Sequence, residues 1–331
     1  MTILVTGATG CIGAALARRL AADGVPVRTL VRSATSSSQL EAQGVERADG
    51  DIRDAAAVRD AVRGCACVVH LAAQRTQRGM PNAVYHDVNV RGTESVTAAA
   101  LAEGVPRLVF ASTLGIHGFV TDTAIDETTR VRPNTPYRLT KLVAEEAVGQ
   151  ARRAGLSAII IRISSTVGVG ATQWLPYLRL MNAGRMRLIG GGRNAVDVIA
   201  LDDVVHGIRR AIGAPDAPSG TYALGGGLEL TARDFADKVA RSLDRPPPGA
   251  GPPAFPYHLA ARASDLAFKA TGRAFRFAHG REWCVANKRV TIDLARVELG
   301  YAPRGDIDGA LTAMVASFRA DGRLASSRSD A

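Results

Sequence analysis

Lysine is nearly missing from this chain: only Lys141, Lys238, Lys269 and Lys288 occur among 331 residues, so arginine supplies almost all of the 41 basic side chains. The arginines are scattered through helix-like stretches, as in Arg18-Arg19, Arg152-Arg153 and Arg209-Arg210, and no basic block forms. A net charge of +10 spread in this way reads as solvated helix faces rather than a nucleic-acid tract, although its field draws anionic cofactors and substrates. Cysteine is also sparse. Cys11, Cys65, Cys67 and Cys284 show no metal-ligand spacing and no disulfide framework, which predicts reduced, mostly buried thiols and no metal site. No apolar run approaches the roughly 18 residues that a membrane span requires. The opening Met1–Gly7 has no basic region, apolar segment or cleavage site, so no secretion signal is expected and the location defaults to the cytoplasm.

What is present is the composition of a globular enzyme, 47% hydrophobic and 22% charged, with length enough for a large core and two lobes. Apolar runs at Thr2–Thr6, Val27–Val31, Cys67–Leu71, Leu108–Ser112 and Ala158–Ile163 alternate with helix-like stretches at Gly13–Ala22, Ala55–Arg63, Asn89–Glu103 and Tyr137–Ala154. Nearly continuous apolar strands alternating with helices predict an α/β fold, a doubly wound parallel sheet of Rossmann type covered on both faces. The expected organisation is a dinucleotide-binding domain over 1–170, rejoined by 194–212, and a smaller substrate-binding lobe from 171–193 and 213–322. Six prolines in Arg245–Pro256 predict a loop or the base of a lid, and 257–278 reads as a helix with an apolar face. The polar 323–331 reads as a disordered tail.

The strand Thr2–Thr6 runs straight into Gly7-Ala-Thr9-Gly10-Cys11-Ile12-Gly13 and then a helix. Small residues there let a pyrophosphate approach the backbone, and a helix N-terminus offers it free N–H groups. The strand-turn-helix context makes this glycine triplet a dinucleotide site. The next strand ends at Arg32, where an NAD-preferring site usually carries a carboxylate. A guanidinium at that point predicts a preference for NADP(H), with NAD(H) also accepted. Further along, Tyr137 and Lys141 lie four residues apart on a helix that follows Pro136, hence on one face. A cationic lysine beside a phenol lowers its pKa from about 10 towards a useful range.

With these residues the sequence resembles the extended short-chain dehydrogenase/reductase family, also called the NAD-dependent epimerase/dehydratase family. The resemblance runs through Gly7–Gly13, Asp51-Ile52, Val69-His-Leu-Ala-Ala73, Asn89-Val-Arg-Gly-Thr93, Ala111–Gly118, Tyr137/Lys141, Asp202-Asp203-Val204, Gly220–Gly225 and Leu299–Pro303. It implies that Thr113, four residues before His117, hydrogen-bonds the substrate oxygen while Tyr137 donates or accepts its proton. Lys141 is then expected to hold the nicotinamide ribose and tune Tyr137. Asp51 and Ile52 frame the adenine, Leu71, Ala72 and Ala73 line the cofactor, and Asn89 bridges helix and sheet. A homodimer through the helices of Asn89–Glu103 and Tyr137–Ala154 is the family expectation.

Departures from the family pattern narrow the chemistry. Sugar dehydratases place acids directly after the catalytic Thr, whereas Leu114-Gly115 stands here. Nucleotide-sugar enzymes carry a pyrophosphate-gripping arginine where this chain has Val196, and an asparagine where it has Ser165, with Arg193 or Arg185 as substitutes. Leu188–Asp197, Asp203–Gly207 and Asn287–Arg296 are more similar to the 3β-hydroxysteroid and sterol-carboxylate dehydrogenase branch, whose relatives include 3-oxoacid and dihydroflavonol reductases. The expected activity is interconversion of a secondary alcohol and a ketone with NADP(H) on a small or apolar substrate. The alternatives are a nucleotide-sugar epimerase with retained NAD and a non-catalytic dinucleotide sensor.

Overall fold

The computed structural model describes residues 1–32, 38–77, 79–120, 124–214, 220–272 and 282–325. Six strands, β1 (Thr2–Thr6), β2 (Val27–Val31), β3 (Glu46–Asp49), β4 (Cys65–His70), β5 (Arg107–Thr113) and β6 (Ala158–Ile163), join Thr221–Leu224 in one seven-stranded parallel sheet. Its order is β3-β2-β1-β4-β5-β6 and then Thr221–Leu224. The chain therefore reverses direction across the sheet between β1 and β4, and a crevice opens there at the carboxyl ends of the strands.

The continuous apolar runs are explained by burial on both faces. Ile3 and Val5 of β1, with Ile159, Ile161 and Ile163 of β6, enter one core. Leu4, Leu108, Phe110, Ala158 and Ile160, one residue out of phase, enter the core of the opposite face. Helix α1 (Cys11–Ala22) packs on the first face through Leu16, Ala17 and Leu20. After the short α2 (Ser38–Glu41), helix α3 (Ala55–Val62) covers the second face. The brief α4 (Asn82–His86) runs through a π-helical turn at Asp87–Arg91 into α5 (Gly92–Ala102). Both α5 and α6 (Pro136–Arg153) pack on that second face.

A second core gathers Trp174, Leu178, Phe235, Val239, Leu311 and Phe318 under α7 (Leu175–Asn182), α9 (Ala232–Ser242) and α12 (Ile307–Ala320). The expected lobe boundary at 213 is corrected here, because Thr221–Leu224 pairs with β6 as a strand of the main sheet. Helix α8 (Leu201–Ile212) lies on the sheet core as expected, but so does α11 (Asp293–Leu299) with Tyr301. The short strand Val198–Ala200 lies between the two lobes: Ile199 faces the sheet core, while Val198 and Ala200 face the second one.

The proline-rich stretch is a loop as far as Ala254, interrupted by a two-residue strand at Gly249–Ala250 that pairs with Arg187–Leu188, but Phe255-Pro256 already opens helix α10 (Phe255–Thr271), since proline is tolerated in a first helical turn. The expected helix end at 278 lies outside the described residues. The expected tail begins late, because Leu324 is buried in the second core and the Arg323 carbonyl accepts from Arg179 at 2.9 Å. Residues 326–331 lie outside the described residues. Among the described residues, no helix is long and apolar enough to cross a membrane. Cys65 and Cys67 are buried, and Cys11 and Cys284 are half-buried.

Candidate active site

The crevice begins at the glycine turn. Gly7 has φ +72°, and a Cβ there would stand 2.7 Å from the Ala72 backbone nitrogen. A Cβ on Gly13 would meet the Gly7 carbonyl oxygen at 2.3 Å. Only glycine lets the turn fold this closely over β1 and β4. Gly10 precedes α1 with no side-chain cap, and the first helical turn has no acid. The helix N-terminus thus faces the crevice with unpartnered N–H groups and a positive dipole, which fits a pyrophosphate. Thr9 and Gly10 are exposed, Cys11 and Ile12 half-buried. The Cys11 thiol donates to the Val169 carbonyl at 3.1 Å, and burial pushes its pKa up to about 11.

At the far end of the crevice Arg32 is exposed directly after β2. Asp51, after β3, is gripped by Arg53 through two side-chain hydrogen bonds of 2.9 and 2.8 Å. Arg53 holds the Asp51 carboxyl below its ordinary range, with a smaller contribution from Arg32. Ile52 is buried against Gly92, where a Cβ would come within 2.6 Å of its Cδ1. Two guanidiniums and an apolar wall thus surround the place where the resemblance puts the adenosine.

Leu71, Ala72 and Ala73 follow β4, half-buried. Their backbone is anchored by Thr6, whose carbonyl accepts from Leu71 N at 3.3 Å and whose Oγ1 accepts from Ala72 N, also at 3.3 Å. Thr6 Oγ1 is also 2.7 Å from His70 Nδ1, and His70 Nε2 is 3.0 Å from Thr93 Oγ1. Burial, with Lys141 nearby, depresses this imidazole to about 3, so it stays neutral and serves as a strut. Asn89, buried in the π-helical turn, clamps the next residue from both sides. Its Oδ1 accepts from Gln74 N at 2.7 Å, while its Nδ2 donates to Gln74 O at 3.1 Å and to Thr140 Oγ1 at 3.0 Å. Thr140 Oγ1 in turn donates to the Tyr137 carbonyl at 2.9 Å. The expected bridge of Asn89 thus runs from the loop after β4 to the first turn of α6.

Thr135 caps α6, accepting from Arg138 N at 3.2 Å, and Pro136 occupies the first turn. Tyr137 and Lys141 follow on one face. Thr113 ends β5, and its Oγ1 accepts from Gly115 N at 3.0 Å, capping the turn Leu114–His117. Gly115 links the two elements, since a Cβ there would be 3.2 Å from both Thr113 Oγ1 and Arg138 Nε. Thr113 and the start of α6 are therefore neighbours at the crevice mouth. His117 is fully buried and depressed to about 4, mainly by burial, so it belongs to the core rather than to the chemistry.

The electrostatics depart from the expected picture. Burial raises the Tyr137 phenol, and the charges that oppose this are Arg75 first and then Arg138. Sequence reasoning singled out neither arginine. Lys141 is buried, with Nζ 3.9 Å above the Phe110 ring, and burial brings it down from the ordinary 10.5 to about 7 against the pull of Glu145. Between those two values the unfolded chain binds more protons, so this lysine makes stability rise with pH through that window. Its full cost is present below about 7. Lys141→Met is therefore expected to melt about 2–5 °C above the parent protein at acidic pH, with the gap closing towards pH 10. Thermal melts over that range check it, and an equal or lower melting temperature at acidic pH contradicts it.

At the positions that separate the family's branches, Val196 is buried in the second core and pairs with Leu230, so no charged group occupies the place of the diphosphate-gripping arginine. Arg185 and Arg193 are exposed.

A family model described as the NAD dependent epimerase/dehydratase family matches residues 3–225. The chain belongs to that family. It is an NAD(P)-dependent enzyme of the extended short-chain dehydrogenase/reductase type, built for a nicotinamide dinucleotide and alcohol–ketone redox chemistry. Over 256 residues it is 33% identical to the 2-alkyl-3-oxoalkanoate reductase of Stenotrophomonas maltophilia, covering 74% of this chain and 77% of that one. It is 31% identical to the 4-hydroxy-2-methyl-3-oxo-4-farnesyl-3,4-dihydroquinoline-1-oxide ketoreductase of Stigmatella aurantiaca, over 71% of each. The dTDP-glucose 4,6-dehydratase DesIV of Streptomyces venezuelae, solved with NAD and TYD bound, superimposes with a TM-score of 0.78 at 24% identity. That superposition covers 98% of this chain and 99% of the other, and it shows the shared fold.

Proposed function

We propose that the protein is an NADP(H)-dependent ketoreductase acting on a small or apolar ketone, or on the corresponding secondary alcohol. The observation that carries this reading is the crevice mouth itself. Tyr137 brings a phenol proton to the Thr113–Tyr137–Lys141 set, and Leu114 and Gly115 follow Thr113 where an elimination enzyme needs an acid and a base. The two reductases among the relatives support it.

The dinucleotide would be held by the N–H groups of Cys11–Gly13 beside Gly10, by Leu71–Ala73 along its middle, and by Asp51, Ile52 and Arg32 at its adenosine end. Lys141 would hold its nicotinamide ribose. Bound there, the cofactor supplies or accepts the hydride. Thr113 orients the substrate oxygen. Because burial raises the Tyr137 phenol, it stays protonated at neutral pH and gives that proton to the carbonyl oxygen as the carbon becomes tetrahedral. In the reverse direction the same oxygen must lose its proton first, so alcohol oxidation rises with pH. Tyr137 then regains its proton from solvent after each reduction.

Consumption of NADPH by a panel of 3-oxo esters and aryl ketones tests the reading. Turnover of UDP-sugars without net cofactor change, and none of the ketones, would replace it with the epimerase alternative. Buried Val196 speaks against that alternative. The NADP preference rests on Arg32, exposed beyond β2, with Arg53 beside it on Asp51. Arg32→Asp is expected to lower the NADPH-to-NADH ratio of kcat/KM by about 30-fold or more, through loss of a charge-assisted contact and gain of a repulsion. An unchanged ratio refutes this role.

A further inference from the structure

Arg75 is the charged residue at this site that the reductase reading leaves unused. It stands directly after Gln74, the residue whose backbone Asn89 clamps on both sides and ties through Thr140 to the Tyr137 carbonyl. That clamp fixes where the Arg75 backbone sits, over the first turn of α6. From there its guanidinium reaches across the crevice, and Arg75 Nη2 donates to Gln173 Oε1 at 2.9 Å. The amide of Gln173 is oriented in turn, because its Nε2 donates to the Thr166 carbonyl at 2.9 Å. Gln173 is neutral, and Arg75 has no carboxylate partner among the described residues. By contrast Arg138, the other cation beside Tyr137, bonds to Asn134, which donates to Asp265 at 2.7 Å. A cation held in position, exposed and matched only to a neutral amide retains its full charge for a ligand.

We propose that Arg75 binds a carboxylate of the substrate, making the preferred ketone an oxo acid whose carbonyl oxygen points to Tyr137. Gln173 parks the guanidinium until the carboxylate arrives and remains beside it afterwards. Arg75 is the largest charge influence on the Tyr137 phenol and also acts on the Cys11 thiol in the glycine turn. Its cationic head therefore lies near both the cofactor turn and Tyr137. The inference rests on the reductase reading for the carbonyl, while the carboxylate subsite stands on Arg75 and its clamp.

The test pairs two substrates and two probes. With NADPH, 3-oxooctanoate is expected to be preferred over methyl 3-oxooctanoate, and Arg75→Gln to lower that acid-to-ester ratio of kcat/KM by about 30-fold, mainly through KM. Arg75→Lys, which keeps the charge but loses the fork, should recover part of the ratio. Independently of turnover, octanoate should bind the protein–NADP⁺ complex more tightly than octanamide by isothermal titration, and Arg75→Gln should erase the difference. A ratio and a binding preference that Arg75→Gln leaves unaltered overturn the proposal. If Arg75→Gln weakens NADPH and the acid equally, the anion is the cofactor's phosphate, and the proposal also falls. Carboxylate binding that depends on Arg75 without reduction of either ketone sinks the reductase reading while upholding the subsite.

Discussion

Replacing Tyr137 by phenylalanine is expected to cut kcat by about a thousandfold or more while leaving NADPH affinity within about threefold. The substitution removes one oxygen from a side chain whose helix is fixed by other groups. Thr135 caps α6, Pro136 sets its first turn, and Thr140 bonds to the Tyr137 carbonyl rather than to its phenol. The backbone and Lys141 therefore stay in place, and only the proton is lost. Single-turnover NADPH oxidation together with quenching of protein fluorescence by the cofactor separates the two effects. Turnover of the variant at a tenth of the parent rate or above would sink the proton-transfer role of Tyr137. A parallel fall in cofactor affinity would reassign Tyr137 to binding.

The second large effect is expected at Gly13. A methyl group there would stand 2.3 Å from the Gly7 oxygen and 2.8 Å from the Ala8 Cα, both backbone atoms with no flexible end to give way. Gly13→Ala must push α1 away from the turn, costing about 3 kcal/mol of overpacking and displacing the N–H groups that face the pyrophosphate. Dinucleotide affinity should drop about a hundredfold or more and the melting temperature should fall with it. Gly149 serves as the control, because it lies inside α6 with only Arg153 Nη1 at 3.8 Å from a built Cβ. Gly149→Ala should hold or raise stability by up to about 1 kcal/mol. Calorimetry and cofactor titration on both variants decide the matter, and equal behaviour of the two would show that the close approach at Gly13 is not what the site needs.

The strands legible from sequence are those buried on both faces, because such strands read as continuous apolar runs. Strand β3, Glu46-Arg47-Ala48-Asp49, escapes that signal because it is the sheet edge and most of its side chains meet water. Thr221–Leu224 escaped assignment to the sheet for another reason: its partner β6 lies on the far side of an excursion through the second lobe. The same contrast holds in the site. Tyr137 and Lys141 are legible together because a four-residue spacing on a helix is a local relation. Arg75 and Gln173 are 98 positions apart, and neither carries a local pattern, so only the fold pairs them. The phenol's surroundings follow the same contrast, since spacing reports only on the lysine, whereas burial and two arginines brought in by the fold act on Tyr137.

The interleaving of the two cores has a consequence for how the molecule can be taken apart. The chain leaves the sheet after β6, returns for α8 and Thr221–Leu224, leaves again, and returns once more for α11 and Tyr301 before ending on the second core with α12. Tyr301 donates to the Gly225 carbonyl at 2.9 Å, and Glu298 accepts from Tyr222 at 2.6 Å, so the late return covers the outermost strand of the sheet. The smaller lobe is therefore not a cassette. No single cut releases it, a fragment ending near 225 would uncover the outermost strand of the sheet, and exchange between relatives must graft several segments together or none.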